Sequence, residues 1–208
     1  ENSSSRDKLV FHNENITLAQ TFFALNEYNL EVWFENMGGH ISVSTYNEGK
    51  FDDDILSTFE FYDGTIITDL TPYLERTISY TDYVFGDRLQ ELRLLGNNNL
   101  TVTGSTGDNR IYSNSGNSTF NAGQGNDYIE SIYGGNDTYI YNLGDGFDRI
   151  RDIGGNDTLQ FGDGITSNML LWSKDLRNND LKIEIDGQII TIENYFNSNA
   201  NKIENFVF

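Results

Sequence analysis

The sequence contains no cysteine and a single proline. Without cysteine the chain forms neither a disulfide framework nor thiolate metal sites. Basic residues are also scarce, with 13 Lys and Arg against 32 Asp and Glu and a net charge of −19. Nucleic acids require a basic footprint, so we expect no nucleic-acid partner and no binding to anionic membrane surfaces. No apolar run approaches the roughly 18 residues of a transmembrane segment, and the polar opening ENSSSRDK lacks signal-peptide character.

Catalytic motifs are missing as well. The two histidines, His12 and His40, do not accompany a GxSxG nucleophile motif, and the sequence has no Gly-Lys-Ser/Thr phosphate loop. The acidic run Asp52, Asp53 and Asp54 lacks the glycine and the terminal glutamate of an EF-hand. We therefore expect a chain that is not an enzyme.

Glycine and aspartate, in contrast, recur with a short period over residues 122–161. Four aspartates follow one another at spacings of 10, 11 and 9 residues, namely Asp127, Asp137, Asp148 and Asp157. Each aspartate ends a glycine-rich segment of six residues, and an apolar residue stands two positions later: Ile129, Tyr139, Ile150 and Leu159. A repeat this short predicts stacked coils.

The glycine-rich segments have the composition of an oxygen cage. Glycine lets consecutive residues turn tightly, so that backbone carbonyls point to one side of the loop, and the aspartate adds a charged oxygen. Calcium takes about six to eight oxygen ligands and needs neither nitrogen nor sulfur. The apolar residue alternates with polar neighbours, which predicts a very short strand with one face inward. Each repeat is thus predicted to form one calcium-binding loop and one strand.

This pattern resembles the nonapeptide Gly-Gly-x-Gly-x-Asp-x-apolar-x of the repeats-in-toxin (RTX) family, the haemolysin-type calcium-binding repeats. The best copy is AGQGNDYIE, residues 122–130, which lacks only the first glycine. The resemblance implies an all-β fold, a right-handed parallel β-roll with calcium between glycine-rich loops, flanked by antiparallel β capping regions. It also implies two nonapeptides per coil, so that aspartates two repeats apart share one ion. The implied pairs are Asp127 with Asp148 and Asp137 with Asp157.

The resemblance further implies which backbone carbonyls complete each site. The earlier loop contributes its second and fourth positions, and the later loop contributes its first and third. For the first pair these residues are Gly123, Gly125, Leu143 and Asp145. For the second pair they are Tyr133, Gly135, Asp152 and Gly154.

The repeat continues upstream in a weaker form. Residues 104–112 have Asn109 in place of the aspartate, and residues 113–121 have Ser118. An asparagine amide ligates calcium without charge, and serine is a weaker ligand.

Two alternatives remain for these coils. One is a third calcium site that joins Asn109 to Asp127, together with a weaker calcium site that joins Ser118 to Asp137. The carbonyls of the third site would come from Ser105, Gly107, Ala122 and Gln124. The other alternative is that these coils hold no metal and are stabilised by Ile111 and Phe120. Altogether we expect several calcium ions, about two to four.

The segments on either side of the repeats are copies of one another. Four pairs of segments match: residues 7–17 and 157–166, 29–34 and 180–185, 40–46 and 189–195, and 56–61 and 203–208. Alternating apolar and polar residues predict strands in both copies. Asp186 and Gly187 predict a tight hairpin between residues 181–185 and 189–192. Residues 18–25 and 71–76 are predicted to form short helices.

These patterns predict three parts. A flanking β module over residues 1–95 comprises the tail of a preceding RTX unit and a connector, the parallel β-roll covers residues 96–161, and a capping β module covers residues 162–208. The resemblance implies a non-catalytic segment of a secreted, extracellular bacterial toxin or adhesin, which folds on calcium after type I secretion. Its partners would be calcium and neighbouring RTX units of the same polypeptide.

Two alternatives remain open from the sequence. The segment could be the C-terminal tail of a secreted lipase, protease or polysaccharide-modifying enzyme. It could also be a module that binds a glycan or a host-cell receptor, since Trp33 and Trp172 offer aromatic faces on which a sugar ring could stack.

Overall fold

Short β-strands make up nearly all the regular structure of the described residues. The computed structural model describes residues 8–18, 21–25, 29–34, 40–44, 46–47, 50–51, 58–68, 74–86 and 88–208. No α-helix occurs among these residues, which confirms the all-β class. The chain divides into two compact units, Glu1–Ile78 and Ser79–Phe208.

Among the described residues of the first unit there are nine short strands, which we number in chain order. They are β1 (Lys8–Val10), β2 (Thr21–Leu25), β3 (Asn29–Phe34), β4 (His40–Ser44), β5 (Tyr46–Asn47), β6 (Lys50–Phe51), β7 (Thr58–Glu60), β8 (Ile66–Ile67) and β9 (Leu74–Ser79). β2, β3 and β4 form an antiparallel meander, and β9 lies parallel to β2. β7 pairs in parallel with β1 and antiparallel with β8, while β5 and β6 form a small hairpin.

The two predicted helices are wrong. Residues 21–25 form β2, and residues 74–76 belong to β9. Both segments pair with neighbouring strands, and in short segments such tertiary pairing overrides a weak helical pattern. Residues 71–73 and the acidic run at residues 52–54 lie outside the described residues.

The second unit is built from two ladders of parallel strands. Its strands are β10 (Tyr83–Val84), β11 (Glu91–Leu94), β12 (Thr101–Thr103), β13 (Arg110–Tyr112), β14 (Thr119–Asn121), β15 (Tyr128–Ser131), β16 (Thr138–Tyr141), β17 (Arg149–Asp152), β18 (Thr158–Phe161), β19 (Leu171–Asp175), β20 (Asp180–Ile185), β21 (Gln188–Ile192) and β22 (Asn205–Val207). One ladder runs β11, β13, β15, β17 and β21, and the other runs β10, β12, β14, β16, β18 and β22. Successive strands therefore alternate between the ladders, as the coils of a parallel β-roll require. The ladders begin at Tyr83, before the predicted start of the roll at residue 96.

The core of the roll consists of apolar side chains stacked in register. One column contains Leu92, Ile111, Ile129, Ile150 and Ile192, and the other contains Val102, Phe120, Tyr139, Leu159 and Phe206. All except the half-buried Phe206 are buried. The residues two positions after each aspartate are thus inward-facing, as predicted.

The downstream flank closes the end of the roll. β20 and β21 form the predicted hairpin, and its turn residues Asp186 and Gly187 have φ values of 49° and 79°. Two successive positive φ values are typical of the tight turn that matches the twist of paired strands. β21 then lies parallel to β17, and β22 lies parallel to β18. The downstream edges of β17 and β18, the strands of the last coil, are therefore paired rather than open.

Candidate calcium site

The loops before β13, β15 and β17 place one asparagine and two aspartates in a column. The backbone N–H of Asn109 donates to Oδ1 of Asp127 at 2.7 Å, and the N–H of Asp127 donates to Oδ1 of Asp148 at 3.0 Å. All three side chains are buried. Each carboxylate thus uses one oxygen to hold the coil that precedes it. The structure brings Asp127 and Asp148 together and places Asn109 beside Asp127.

A second column lies before β14, β16, β18 and β22. The N–H of Ser118 donates to Oδ1 of Asp137, and the N–H of Asp137 donates to Oδ1 of Asp157, both at 2.8 Å. The N–H of Asp157 donates in turn to Oε2 of Glu204 at 2.9 Å. Glu204 was not singled out from the sequence. It stands directly before β22, as each aspartate stands directly before its strand, and it takes the place of the next carboxylate in the column.

Glycine is needed where successive loops of one column touch. A Cβ at Gly146 would overlap the carbonyl oxygen of Gly125, and a Cβ at Gly155 would overlap that of Gly135. Both later glycines also have positive φ, 117° and 145°, which L side chains rarely adopt. The carbonyls of Gly125 and Gly135, two of the predicted ligands, therefore point along the column toward the following loop.

The other predicted carbonyl groups follow the same loops. A Cβ at Gly123 would overlap the carbonyl oxygen of Ser105, and a Cβ at Gly125 would lie 2.7 Å from that of Gly107. The carbonyl of Asp145 accepts the N–H of Gly125 at 2.8 Å. The N–H of Gly154 donates to the carbonyl of Ala200 at 2.7 Å. Ala122 is buried, whereas Gln124, Tyr133 and Leu143 are exposed.

Among the described residues, three aspartates bury a carboxylate oxygen that has no hydrogen-bond partner. These atoms are Oδ2 of Asp127, Oδ1 of Asp152 and Oδ2 of Asp157. Each residue is at most 1% exposed. The second oxygen of each is engaged, by the N–H of Asn109, the hydroxyl of Tyr139 and the N–H of Asp137 respectively. Buried charge is strongly unfavourable unless it is paired or binds a metal, so these oxygens fit a hard cation.

Three buried carboxylates come together at the second column. Carboxylate oxygens of Asp137, Asp152 and Asp157 all lie within 4.8 Å of one another. Ser131 Oγ donates to Oδ2 of Asp137 at 2.6 Å, which orients that carboxylate. The resemblance implied only a backbone role for Asp152. In the structure its side chain points inward from β17, on the same face as the buried Ile150, and its carboxylate joins the cluster.

Burial also changes the acidity of these groups. It raises the pKa of Asp127 to about 8, an effect that the N–H of Asn109 opposes and the nearby charge of Asp148 increases. It raises the pKa of Asp148 to about 7. Burial likewise raises the pKa values of Asp137, Asp152 and Asp157. Without a cation these positions therefore favour the neutral acid, and a bound cation would favour the carboxylate.

The upstream positions differ because their polar groups are satisfied by the protein. Oδ1 of Asn109 accepts the N–H of Ser105 at 2.8 Å, and Nδ2 donates to the carbonyl of Leu89 at 3.3 Å. Oγ of Ser118 accepts the N–H of Leu100 and donates to Oδ1 of Asn114, both at 3.3 Å. The polar side-chain atoms at these two positions therefore have hydrogen-bond partners within the protein.

Comparison with known proteins identifies the downstream flank. Residues 180–208 match the family model described as haemolysin-type calcium binding protein related domain. The match covers the hairpin of β20 and β21 together with β22. No curated protein matches the chain. The described residues contain no helix that is long and apolar enough to cross a membrane. The family match confirms the resemblance to the RTX family and supports the interpretation of the chain as a calcium-binding RTX-like segment.

Proposed function

We propose that the chain is a non-catalytic RTX segment of a secreted bacterial exoprotein, a toxin or an adhesin, and that it folds when calcium binds. The observation that carries this proposal is the set of buried carboxylate oxygens on Asp127, Asp152 and Asp157 that lack hydrogen-bond partners among the described residues. When these groups are ionised, their burial is unfavourable, and a bound cation would stabilise the fold by compensating their charge.

The first proposed ion lies among Asp137, Asp152 and Asp157. Three carboxylates within 4.8 Å supply charged oxygens, and the carbonyl of Gly135 points into the same column of loops. Such an oxygen-rich set suits calcium, which accepts irregular coordination. Magnesium fits less well, because it demands a small octahedral shell and gives up its water reluctantly.

The second proposed ion lies between the loops that end at Asp127 and Asp148. Oδ2 of Asp127 is the buried oxygen without a partner here, and the carbonyl of Gly125 points toward the later loop. Burial raises the pKa values of these two aspartates to about 8 and about 7. We propose no ion for the Asn109 and Ser118 positions, because hydrogen bonds already satisfy them.

Calcium dependence would suit a protein that crosses membranes unfolded. In calcium-poor cytoplasm the clustered acidic residues, part of a net charge of −19, oppose folding. In the extracellular medium calcium would bind to the folded state only and drive folding by mass action. We therefore propose type I secretion, an extracellular location and neighbouring RTX units of the same polypeptide as partners.

Isothermal titration calorimetry of one carboxylate variant and its control tests the proposal. Asp152→Asn keeps an oxygen that can accept the Tyr139 hydroxyl but removes the charge from the cluster. Asp163→Asn removes a similar charge from an exposed position after β18. We expect Asp152→Asn to lose one bound ion, or to weaken its binding by about tenfold or more, and Asp163→Asn to bind calcium as the wild type does. Equal titrations for all three proteins would refute the proposed site.

A further inference from the structure

The outer faces of the two ladders of the roll differ in charge. In both ladders, residues that alternate with the buried columns point outward. The outward residues of β12, β14, β16 and β18 are all uncharged: Thr101, Thr103, Thr119, Asn121, Thr138, Ile140, Thr158 and Gln160. Those of β11, β13, β15 and β17 are four arginines, two glutamates and two tyrosines: Glu91, Arg93, Arg110, Tyr112, Tyr128, Glu130, Arg149 and Arg151. We call these eight residues the arginine face. Its net charge is +2, in a chain whose net charge is −19.

The arginine face is ordered by the register of its strands. One column contains Glu91, Arg110, Tyr128 and Arg149, and the other contains Arg93, Tyr112, Glu130 and Arg151. Arg110 and Arg149 are two strands apart, which is about 10 Å at the usual strand spacing. The face therefore presents cations at intervals along the direction in which the coils stack, with tyrosines and glutamates between them.

Two of the arginines are held by the tyrosine rings. The guanidinium carbon of Arg93 lies 4.7 Å from the ring centroid of Tyr112, and that of Arg110 lies 5.8 Å from the ring centroid of Tyr128. Among the described residues, neither arginine forms an ion pair with a carboxylate. A guanidinium group that already stacks on a ring loses less freedom when it binds a ligand, so these two groups are preorganised.

The other two arginines cover the acidic residues with which they pair. Arg149 pairs with Glu193, and Arg151 pairs with Glu130 at 3.1 Å. The arginine side chains are 57% and 40% exposed, whereas those of their glutamate partners are 15% and 17% exposed. A guanidinium group has five N–H donors, so each arginine keeps donors for a ligand that approaches from solvent.

The mixture of cations and acceptors on this face indicates the chemistry of its ligand. Arginine binds carboxylates through paired N–H donors. The glutamates Glu91 and Glu130 instead require a ligand that donates hydrogen bonds. Nucleic acid fits poorly, because its phosphates recur about every 3.4 Å along one strand, more densely than these arginines, and because the net charge of the chain repels it. A sugar chain that carries carboxylates at intervals and hydroxyl groups between them matches both kinds of residue.

We propose that the arginine face binds an acidic polysaccharide in which carboxylate-bearing sugars alternate with neutral ones. The sugar chain would run across β11, β13, β15 and β17. The arginines would bind its carboxylates, and the two glutamates would accept hydrogen bonds from its hydroxyl groups. This activity goes beyond calcium binding, and it rests on the proposed function only in that the face exists in the folded chain.

Isothermal titration calorimetry of the calcium-loaded full chain tests the proposal. The probe is a hyaluronan hexasaccharide, in which glucuronate alternates with N-acetylglucosamine, and the neutral control is a hexasaccharide of N-acetylglucosamine alone. We expect saturable binding of the acidic sugar, which weakens as sodium chloride is added, and little binding of the neutral one. An acidic peptide with the same number of carboxylates should bind at least about tenfold more weakly, because it lacks the hydroxyl groups.

Arginine variants separate recognition from net charge. Arg110→Gln removes a guanidinium group that stacks on Tyr128, whereas Arg177→Gln removes the same charge from an exposed position between β19 and β20. Arg110→Gln should weaken binding of the hyaluronan hexasaccharide by about tenfold, and Arg177→Gln should leave it within about twofold. Arg110→Lys should recover part of the affinity, because lysine keeps the charge but not the paired donors.

Circular dichroism of the same samples, in calcium and in chelator, measures whether the chain is folded and whether folding needs calcium. A failure of the proposed function is therefore seen separately from a failure of sugar binding. In the folded protein, three results would each overturn the proposal: no binding of the hyaluronan hexasaccharide at millimolar concentration, equal binding of the neutral sugar or the acidic peptide, or equal affinity in Arg110→Gln and Arg177→Gln.

Discussion

The upstream and downstream coils of the roll have the same backbone plan but satisfy their buried polar groups in different ways. Asn109 and Ser118 occupy the aspartate positions upstream, and each is held by hydrogen bonds to its own or the preceding loop. Asp127 and Asp157 occupy these positions downstream, and each leaves one buried oxygen without a partner among the described residues. The comparison teaches that the neutral side chains find their partners within the protein, whereas Asp127 and Asp157 each keep a buried oxygen whose charge a cation would compensate.

This difference gives the roll two kinds of coil in series. Both kinds share continuous columns of apolar residues, so the upstream coils contribute apolar packing without adding charge. The downstream coils carry the acidic cluster of Asp137, Asp152 and Asp157 and end against the capping hairpin. Calcium would therefore act at the downstream end, next to the cap.

The largest effect is expected from removing the cap. Deletion of residues 167–208 uncovers β17 and β18 and removes Glu204, which accepts the N–H of Asp157. We expect calcium-induced folding to be abolished or strongly weakened although all the proposed carboxylate ligands remain. Deletion of residues 1–73 should matter less. Calcium titrations of both truncations by circular dichroism and size-exclusion chromatography measure this, and normal folding of the first truncation would contradict it.

A pair of point variants compares the two kinds of coil directly. Asp157→Asn keeps an oxygen for the N–H of Asp137 but removes charge from the cluster, so the calcium midpoint should rise by about tenfold or more. Ser118→Ala removes a hydroxyl that bonds Leu100 and Asn114, which should lower stability by about 1 kcal/mol and leave the calcium midpoint within about twofold. Equal midpoint shifts in the two variants would show that upstream and downstream coils do not differ in calcium dependence.

The pH dependence of the calcium-free chain sharpens the same comparison. Burial raises the pKa values of Asp127 and Asp148 to about 8 and about 7, above the ordinary value of 3.8. Carboxyl groups whose pKa is raised in the folded state stabilise that state when they are protonated. This stabilisation is complete below pH 3.8 and is lost as pH rises through about 7 to 8. In calcium-free buffer the β signal should therefore be stronger at about pH 5 than at about pH 8.5. Asp127→Asn should flatten the profile, and a β signal that grows with pH would contradict the assignment.

The smallest effect is expected from Tyr139→Phe. The variant keeps the ring that stacks on Phe120 at a centroid distance of 5.6 Å but loses the hydroxyl that donates to Asp152. Stability should fall by about 1 kcal/mol, measured by urea denaturation of the calcium-loaded protein. The number of bound ions should not change, because the Asp152 carboxylate remains. Loss of an ion would show that the tyrosine is needed to position this ligand.

The sequence predicts most of the roll because its signals are local and repeated. Ile129, Tyr139, Ile150 and Leu159 follow their aspartates at one fixed interval, so their inward direction could be predicted, and Asp186 with Gly187 predicts the hairpin through turn chemistry alone. The helices predicted at residues 18–25 and 71–76 were wrong, since nothing within so short a segment indicates which neighbour it pairs with.

The roles of two carboxylate side chains, those of Asp152 and Glu204, were not predicted because neither residue holds the aspartate position of the repeat. Asp152 lies two residues after Ile150, and strand alternation places it on the same inward face, which was a usable signal. The resemblance to the RTX repeat implied a role only for its backbone carbonyl, although Asp152 is the last residue of β17. Glu204 belongs to the flank and comes beside Asp157 only because β22 joins the ladder of β18, a pairing between residues far apart in the sequence.

A far-ultraviolet circular dichroism titration with calcium tests the central claim most directly. Buried carboxylate oxygens without partners predict that at about pH 8.5 the chain in chelator has little β structure and gains it cooperatively as calcium is added. Magnesium at the same concentrations should have little effect. Identical spectra in chelator and in calcium would contradict the account.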